Sequence, residues 1–402
     1  MNTNSTNTMK AMPIFLAFLC MGFGDVVGPM VSLAKETFQL STFMAQLLPL
    51  MGFIMFGLLS VAMGIFQDKV GKKYLLSLGL FIAFVGLIIP VFNGMYGPII
   101  SFDPTSNSKF YIILIAILFL GAGAAILQVS GNPIMRDVSP EGKYSSNLSF
   151  GQTVKAVGSS LGFLIPAFVA KPLGLDWTVL FPIYAILIFL TFLWVKSTKI
   201  VEIKDPNSTP ASLSSCLSLL GNPYILFMVL AIFLYVGAEV SMSSGVPLLV
   251  SEKYGIDLKE LGLVISWGLF FFPIFIGRLL GGVILRFLQP KTFLVITVII
   301  SMLGIIMMFL GSQTLAFAGI ILVGLGFANI FPLVFSITID NMPSRSNEIS
   351  GLMVTAIVGG AIIPPVFGFV ADSSNILTAF LVPMACMAYI LFIALTNLKK
   401  SN

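Results

Sequence analysis

The chain has 402 residues, of which 57% are hydrophobic and only 9% are charged. Soluble domains carry about 25% charged residues, so this composition excludes a water-soluble globular protein and indicates that lipid surrounds most of the chain. We interpret the net charge of +5 as a signal of membrane topology, and we expect no nucleic-acid partner.

Twelve apolar segments follow one another along the chain, each long enough for a membrane-spanning helix, which needs about 20 residues. These segments are apolar on all sides, whereas the strands of a membrane β-barrel alternate in polarity. The sequence therefore predicts an all-α membrane protein with twelve transmembrane helices. The predicted helices cover residues 11–34, 44–66, 74–95, 110–135, 146–170, 177–196, 222–250, 260–287, 292–311, 315–339, 349–371 and 376–397.

A polar connection at residues 196–215 separates the first six predicted helices from the last six. The pattern G-x-G-x-A that precedes Asp137 near the end of the fourth helix recurs before Asp340 near the end of the tenth. Such similarity favours a duplicated unit and two pseudo-symmetric six-helix bundles. The predicted organisation is a disordered tail at 1–10, a bundle at 11–196, a cytoplasmic linker at 197–221, a second bundle at 222–397 and a tail at 398–402.

Lysine and arginine are distributed unevenly between alternate loops. With the N-terminus inside, fourteen of the 21 fall on the inside, five on the outside and two within predicted helices. Cytoplasmic loops carry the excess of these residues, so both termini are predicted to be cytoplasmic. We expect an integral protein of the plasma membrane, which in a bacterium is the inner membrane.

The residue types that many enzymes and metal sites need are scarce. The chain has no histidine, and Cys20, Cys216 and Cys386 lack the spacing of a metal site or a disulfide framework. No G-x-x-x-x-G-K-[ST] motif indicates ATP as an energy source. The sequence therefore predicts a protein that is not an enzyme and has no cofactor and no metal site.

The loop after the second predicted helix reads GIFQDKVGKK, residues 64–73. Gly64 would permit close helix approach, Asp68 would accept charge-assisted bonds across the interface between the bundles, and Gly71 would relax the turn. The spacing resembles the cytoplasmic loop signature of the major facilitator superfamily, which implies the major facilitator fold. The predicted residues of a conformational latch are Gly64, Asp68, Lys69, Gly71, Lys72, Arg278 and Arg286.

Further segments resemble the fucose–galactose–glucose:proton symporter family. The resemblance implies import of a monosaccharide, a hexose or deoxyhexose, by alternating access, with Asp25 taking part in proton coupling. The chain departs from the family pattern at Gln128, where the family has Glu, and at Lys155, where the family usually has Asn. The matching segments are MGFGDVVGPM (21–30), QVSGNP (128–133), LSFGQTVKAVGSSLG (148–162), YVGAEVSMSSGVPLLV (235–250), IGRLLGGVILRFLQP (276–290) and MVTAIVGGAIIPPVFGFVAD (353–372).

Four ionisable residues lie deep in the predicted helices: Asp25, Lys155, Glu239 and Arg278. A charge facing lipid at mid-depth costs about 2.5–3.5 kcal/mol, so we expect these side chains to face a cavity between the bundles or one another. We predict that Asp25 pairs with Lys155, permanently or in one state only, and that a proton on Asp25 would break the pair. A fixed ion pair that never titrates is the alternative. The predicted proton-coupling residues are Asp25, Lys155 and Glu239.

Amide and aromatic side chains within apolar helices are candidates for sugar contact, because sugars need hydrogen-bond partners and an aromatic face. An unpaired amide in hydrocarbon is costly, although a helix–helix hydrogen bond would satisfy it equally well. We also expect helix breaks beside a cavity, around Asp25 and at Pro364–Pro365. The predicted substrate-binding residues are Gln128, Asn132, Gln152, Lys155, Tyr235, Glu239, Trp267 and Asn329.

The expected partners are a small-molecule sugar, a proton and the lipid bilayer, bound by a monomer. Lys155 leaves an anionic sugar, a sialic or uronic acid, open as an alternative substrate. Sodium coupling, with Asp25 and nearby carbonyls as ligands, and uncoupled transport are further alternatives. A nutrient sensor that does not transport is disfavoured, because it would be expected to carry an additional cytoplasmic domain and the tails are short.

Overall fold

A computed structural model describes residues 3–100, 107–138, 144–200, 202, 213–285, 287–342 and 345–399. Within these residues every regular element is helical, and twelve helices are long and apolar enough to cross a membrane. The predicted all-α class and helix number are therefore confirmed. The helices are α1 (Met12–Phe38), α2 (Thr42–Gln67), α3 (Lys72–Phe92), α4 (Ser108–Gly131), α5 (Gly151–Leu173), α6 (Trp177–Ser197), α7 (Pro223–Glu252), α8 (Leu263–Gly281), α9 (Pro290–Met308), α10 (Gln313–Asn341), α11 (Gly351–Ser373) and α12 (Ile376–Leu398).

Helices are the expected solution for these apolar runs, since each backbone N–H and C=O in hydrocarbon must find a partner within the chain. Several helices continue beyond the apolar span that defines them. Helical structure begins at Thr3, before α1 and inside the segment predicted to be a tail. No glycine or proline lies between Thr3 and Ala11 that would end a helix there. Helical structure likewise continues from α4 to Val138.

Short irregular turns interrupt several of the long helices. In α1 a 3-10 turn covers Gly22–Val26, which confirms the predicted break around Asp25. The predicted break at Pro364–Pro365 is wrong, because both prolines lie inside the α-helix Gly359–Ser373 and the irregular turn precedes them at Ala356–Val358. A proline removes the hydrogen bond to the carbonyl four residues before it, which for Pro364 is that of Gly360, so the prolines do not account for the turn at Ala356–Val358.

The chain divides into two compact units. The first contains Met1–Val27 and Ile54–Leu213, and the second contains Gly28–Phe53 and Ser214–Asn402. The boundaries fall inside α1 and α2, so the second unit includes a segment that precedes the predicted linker. The duplication into bundles at 11–196 and 222–397 stays a prediction.

Glycines set the close helix packing inside each unit. In the first unit, a Cβ at Gly79 of α3 would lie 3.0 Å from the carbonyl oxygen of Gly123 in α4. In the second unit, a Cβ at Gly304 of α9 would lie 2.5 Å from the carbonyl oxygen of Gly319 in α10. Small residues at these crossings let the backbones approach, which is how apolar helices associate in lipid.

Candidate functional site

Asp25 lies in the irregular turn of α1 and contacts α5. The Nζ atom of Lys155 is 3.4 Å from Oδ2 of Asp25, so the predicted contact between these side chains is present in the structure. The hydroxyl of Ser159 donates a hydrogen bond to the same oxygen at 2.8 Å. The two charged side chains remain partly accessible, with 31% of Asp25 and 22% of Lys155 exposed. The cluster therefore holds opposite charges within an apolar helix pair, and its side chains are not fully enclosed by neighbouring protein atoms.

The crossing of α1 and α5 is tight because glycines lie on both helices. A Cβ at Gly22 would overlap the carbonyl oxygen of Lys155, and a Cβ at Gly158 would overlap the carbonyl oxygen of Leu19. This close approach allows a side chain as short as that of Ser159 to reach across to Asp25. The glycines of GFGDV and VGSSLG thus position the cluster.

Helix α4 presents Gln128 on the face that packs against α1. A Cβ at Gly24 would lie 2.9 Å from the Cβ of Ala124, and a Cβ at Gly131 would overlap the methyl group of Met21. Gln128 shares this face because residues three and four apart are neighbours on a helix. Its side chain is half-buried. Gln128 therefore lies on the face of α4 that packs against the irregular turn containing Asp25.

The structure describes the side chain of only one of the other two predicted amides of the first unit. Gln152 is half-buried and lies three residues before Lys155, so the two share one face of α5. The side chain of Asn132 lies outside the described residues. Gln128, Gln152 and Lys155 are thus carried on helix faces around the same turn of α1.

A second ion pair lies in the second unit. The Nη2 atom of Arg278 is 3.6 Å from Oε1 of Glu239, joining α8 to α7. The Nε–H of Arg278 also donates to the carbonyl oxygen of Ala328 at 3.4 Å. This carbonyl lies at an interruption of α10 between Gln313–Phe327 and Ile330–Asn341. All four predicted intramembrane charges therefore have an opposite charge within 4.0 Å.

Two predicted substrate-binding residues of the second unit form helix–helix hydrogen bonds. Tyr235 is completely buried, and its hydroxyl donates to the carbonyl oxygen of Phe327 at 2.9 Å. The side-chain amide of Asn329 donates to the carbonyl oxygen of Gly277 at 2.8 Å. Both side chains therefore form the helix–helix hydrogen bonds that the sequence analysis gave as the alternative to sugar contact. Their contact with substrate stays a prediction.

Trp267 begins a π-helical turn of α8, Trp267–Phe271. Its ring lies 5.4 Å from that of Phe272, between centroids. Among the described residues, the buried indole N–H has no hydrogen-bond partner. An N–H without a partner is costly in an apolar setting, and contact of Trp267 with substrate stays a prediction.

The motif loop after α2 is bound within the first unit. Gly71 has φ of +91°, which confirms that it relaxes the turn. The ammonium group of Lys72 donates to both carboxylate oxygens of Asp137, at 2.9 and 2.7 Å. The carboxylate of Glu202 accepts the backbone N–H groups of Lys72 and Lys73 at 2.8 and 2.9 Å. A negative charge at the start of α3 also complements the helix dipole.

The other latch residues are less engaged or not described. Around Gly64, no described atom lies within 4 Å of the position that a Cβ would take, so the close helix approach predicted there is wrong for this structure. Lys69 is exposed. The side chain of Asp68 and the whole of Arg286 lie outside the described residues. A latch across the interface between the bundles therefore stays a prediction.

Sequence reasoning missed several polar residues that connect helices. Besides Ser159, Asp137 and Glu202, Asp372 at the end of α11 accepts the backbone N–H groups of Thr42 and Phe43 at 2.8 and 2.7 Å. Nearby, Lys35 and Glu252 form an ion pair. The signal for Ser159 was its spacing of four from Lys155. The others resemble ordinary helix-end residues until tertiary contacts are known.

Twelve helices of the described residues are long and apolar enough to cross a membrane, and the comparison of sequences identifies the class of membrane protein. Residues 14–365 match the family model described as Major Facilitator Superfamily, so the chain belongs to this superfamily. The predicted resemblance is therefore confirmed. Members of this superfamily are transporters, in agreement with the expectation that the chain is not an enzyme.

Individual relatives with similar sequences are described as sugar transporters. The glucose/galactose transporter of Brucella abortus biovar 1 (strain 9-941) is 25% identical over 399 residues, which cover 96% of this chain and 93% of the relative. The L-fucose-proton symporter of Escherichia coli (strain K12) is 26% identical over 415 residues, which cover 94% and 90%. The crystal structure of the superfamily transporter FucP in the outward conformation aligns with a TM-score of 0.69 at 22% identity, covering 96% of this chain and 98% of that chain.

Proposed function

We propose that this protein is a secondary active transporter that imports a neutral monosaccharide, a hexose or deoxyhexose, together with protons. The names of the glucose/galactose and L-fucose relatives support the sugar as substrate. The observation that carries the mechanism is the partly exposed ion pair of Asp25 and Lys155 in an interrupted apolar helix. A carboxylate in that position is costly in lipid, and we therefore attribute a function to it.

Asp25 is the proposed proton acceptor. Its Oδ2 atom attracts Lys155 and accepts the Ser159 hydroxyl. A proton on the carboxylate would remove the charge that holds the ammonium group and free α1 to shift against α5. A ligand moves a conformational equilibrium only through different affinities for the two states, and a proton that breaks this pair meets that requirement. Glu239, paired with Arg278, is a second proposed acid.

The charge balance favours a neutral sugar over an anionic one. Lys155 is 3.4 Å from Asp25, and Arg278 is 3.6 Å from Glu239, so each cation already faces an anion. A sialic or uronic acid would have to displace a carboxylate from its partner. Uncharged hydroxyls can instead bind the half-buried amides of Gln128 and Gln152 in the first unit without displacing any charge.

Orientation and location follow from the distribution of cationic residues. We propose that both termini face the cytoplasm, that the protein lies in the plasma membrane and that it acts as a monomer. Alternating access would then expose the Asp25 cluster to each side in turn. The assay below separates sodium coupling from proton coupling, and accumulation of sugar under an imposed proton gradient separates coupled from uncoupled transport.

The test is counterflow by purified protein in proteoliposomes, with protein-free liposomes as the control. Labelled glucose, galactose and fucose are compared with a sialic acid and glucuronic acid, and pH and sodium are varied separately. We expect exchange of at least one neutral sugar, dependence on pH and indifference to sodium. Exchange of acidic sugars alone, or a strict need for sodium, would contradict the proposed function.

A further inference from the structure

We infer that Ser159 is a positioning residue whose hydroxyl changes partner with the charge on Asp25. The inference rests on the proposed proton coupling through Asp25. The Oγ atom of Ser159 lies 2.8 Å from Oδ2 of Asp25 and 3.2 Å from the carbonyl oxygen of Lys155. A serine hydroxyl has one hydrogen, so it donates to only one of these two acceptors at a time.

The charge on Asp25 determines which acceptor is preferred. An ionised carboxylate accepts a hydrogen bond roughly twice as strong as a neutral group does, so Ser159 then donates to Asp25. A protonated carboxyl is a weaker acceptor. The hydroxyl then turns to the carbonyl oxygen of Lys155, the usual acceptor of a serine inside a helix. Ser159 thus stabilises the unprotonated state of Asp25 and loses no partner when the proton binds.

Burial of Ser159 limits its hydroxyl to acceptors on neighbouring protein atoms. Ser159 is only 4% exposed, so neighbouring protein atoms determine where its hydrogen points. The close crossing of α1 and α5 at Gly22 and Gly158 holds both acceptors within reach of one hydroxyl. The same residue, Lys155, supplies the backbone acceptor and the ammonium group that pairs with Asp25.

Few other titratable groups surround this turn of α1. From α4, the residues on the facing surface include Ala124 and Gln128, which carry no charge. The thiol and phenol groups nearby are uncharged at neutral pH. Among the described residues, the titratable groups beside the turn include Lys155 on α5, Cys20 on α1, whose thiol donates to Thr191, and Tyr184 on α6, whose ring stacks on Phe23. The four helices also carry titratable residues toward their ends, namely Lys35, Glu36, Lys109, Tyr111, Lys171 and Lys196.

The chain contains a matched control for the test. The hydroxyl of Ser160 donates to the carbonyl oxygen of Ala156 at 2.9 Å, which is the same type of backbone bond four residues back. The two variants Ser159→Ala and Ser160→Ala therefore remove equivalent atoms from adjacent positions of α5. Their difference isolates the bond to Asp25.

The measurement is the pH dependence of sugar uptake into proteoliposomes under an imposed proton gradient. In Ser159→Ala the ionised carboxylate of Asp25 loses the hydroxyl that donates to it, so the unprotonated state is less stabilised. We expect the pH of half-maximal uptake to rise by about one unit, the shift that loss of one hydrogen bond to a charged group produces. Ser160→Ala and Ser159→Thr, which keeps a hydroxyl, should retain the wild-type midpoint.

The outcomes separate this inference from the proposed function. Equal midpoints for Ser159→Ala, Ser160→Ala and the wild type, with uptake still driven by protons, would overturn the inference alone. Loss of counterflow in Ser159→Ala would assign the hydroxyl a structural role and would also overturn it. Wild-type uptake that ignores the proton gradient would overturn both the inference and the proposed coupling.

Discussion

Two ion pairs compensate the charges of the four ionisable residues that lie within apolar helices. Asp25 with Lys155, and Glu239 with Arg278, place each charge within 4.0 Å of an opposite one. Removing one member of such a pair leaves its partner uncompensated, whereas removing both can be neutral. At the scale of single residues, the stability of the protein should therefore depend on charge balance more than on either side chain alone.

A double-variant cycle tests this dependence. Lys155→Met should destabilise the protein by about 1 kcal/mol, less than for a fully buried pair because both side chains are partly exposed. Adding Asp25→Asn to Lys155→Met should restore most of the lost stability. Thermal unfolding in detergent measures this, with Lys69→Met at an exposed site as the control. A double variant as unstable as the sum of the single variants would show that the two residues do not interact.

The sequence predicts the first pair but not its third member. Four deep charges that sum to zero must be compensated in lipid, so a contact between Asp25 and Lys155 can be expected from spacing and cost. A serine within a helix satisfies itself with a backbone carbonyl, and nothing in its identity indicates a carboxylate on another helix. Its spacing of four from Lys155 places Ser159 on the same helix face, but only the crossing of α1 and α5 brings that face to Asp25.

Helix crossings in this protein depend on particular glycines, and two of them offer a contrast. A Cβ at Gly158 would overlap the carbonyl oxygen of Leu19, while a Cβ at Gly64 would meet no described atom within 4 Å. Overpacking a tight contact costs about 1–3 kcal/mol. Gly158→Ala should therefore lower the unfolding temperature, and Gly64→Ala should leave it unchanged or raise it slightly. Size-exclusion profiles after heating measure both. Equal unfolding temperatures would contradict the packing described for α1 and α5.

The elements show where prediction from sequence succeeds and where it stops. Helix number follows from the length of the apolar runs, because lipid leaves the backbone few alternatives. The break beside Asp25 follows from its neighbours Gly24, Gly28 and Pro29. The prolines at 364 and 365 were misleading, because surrounding helices can accommodate a proline in a continuous membrane helix. The interruption of α10 at Ala328–Asn329 was not predicted, although Pro332 follows it and cannot donate a hydrogen bond to the carbonyl oxygen of Ala328.

Local sequence patterns predict only part of the organisation of the whole molecule. The polar composition of residues 196–215 predicts a linker between two sets of six helices. The assignment of Gly28–Phe53 to the second unit depends on contacts between residues distant in the chain, such as Asp372 with the backbone of Thr42 and Phe43. Each of these polar groups is unremarkable by itself, so no motif indicates which partner it takes.

The most direct test of the central claim compares the wild type with Asp25→Asn in proteoliposomes that carry an imposed proton gradient and no sodium. Accumulation of a labelled neutral sugar and counterflow of the same sugar are measured side by side. The account predicts that the wild type concentrates the sugar, while Asp25→Asn exchanges it by counterflow but no longer concentrates it. Accumulation by Asp25→Asn at the wild-type level would contradict the assignment of Asp25 as the residue that couples protons to sugar.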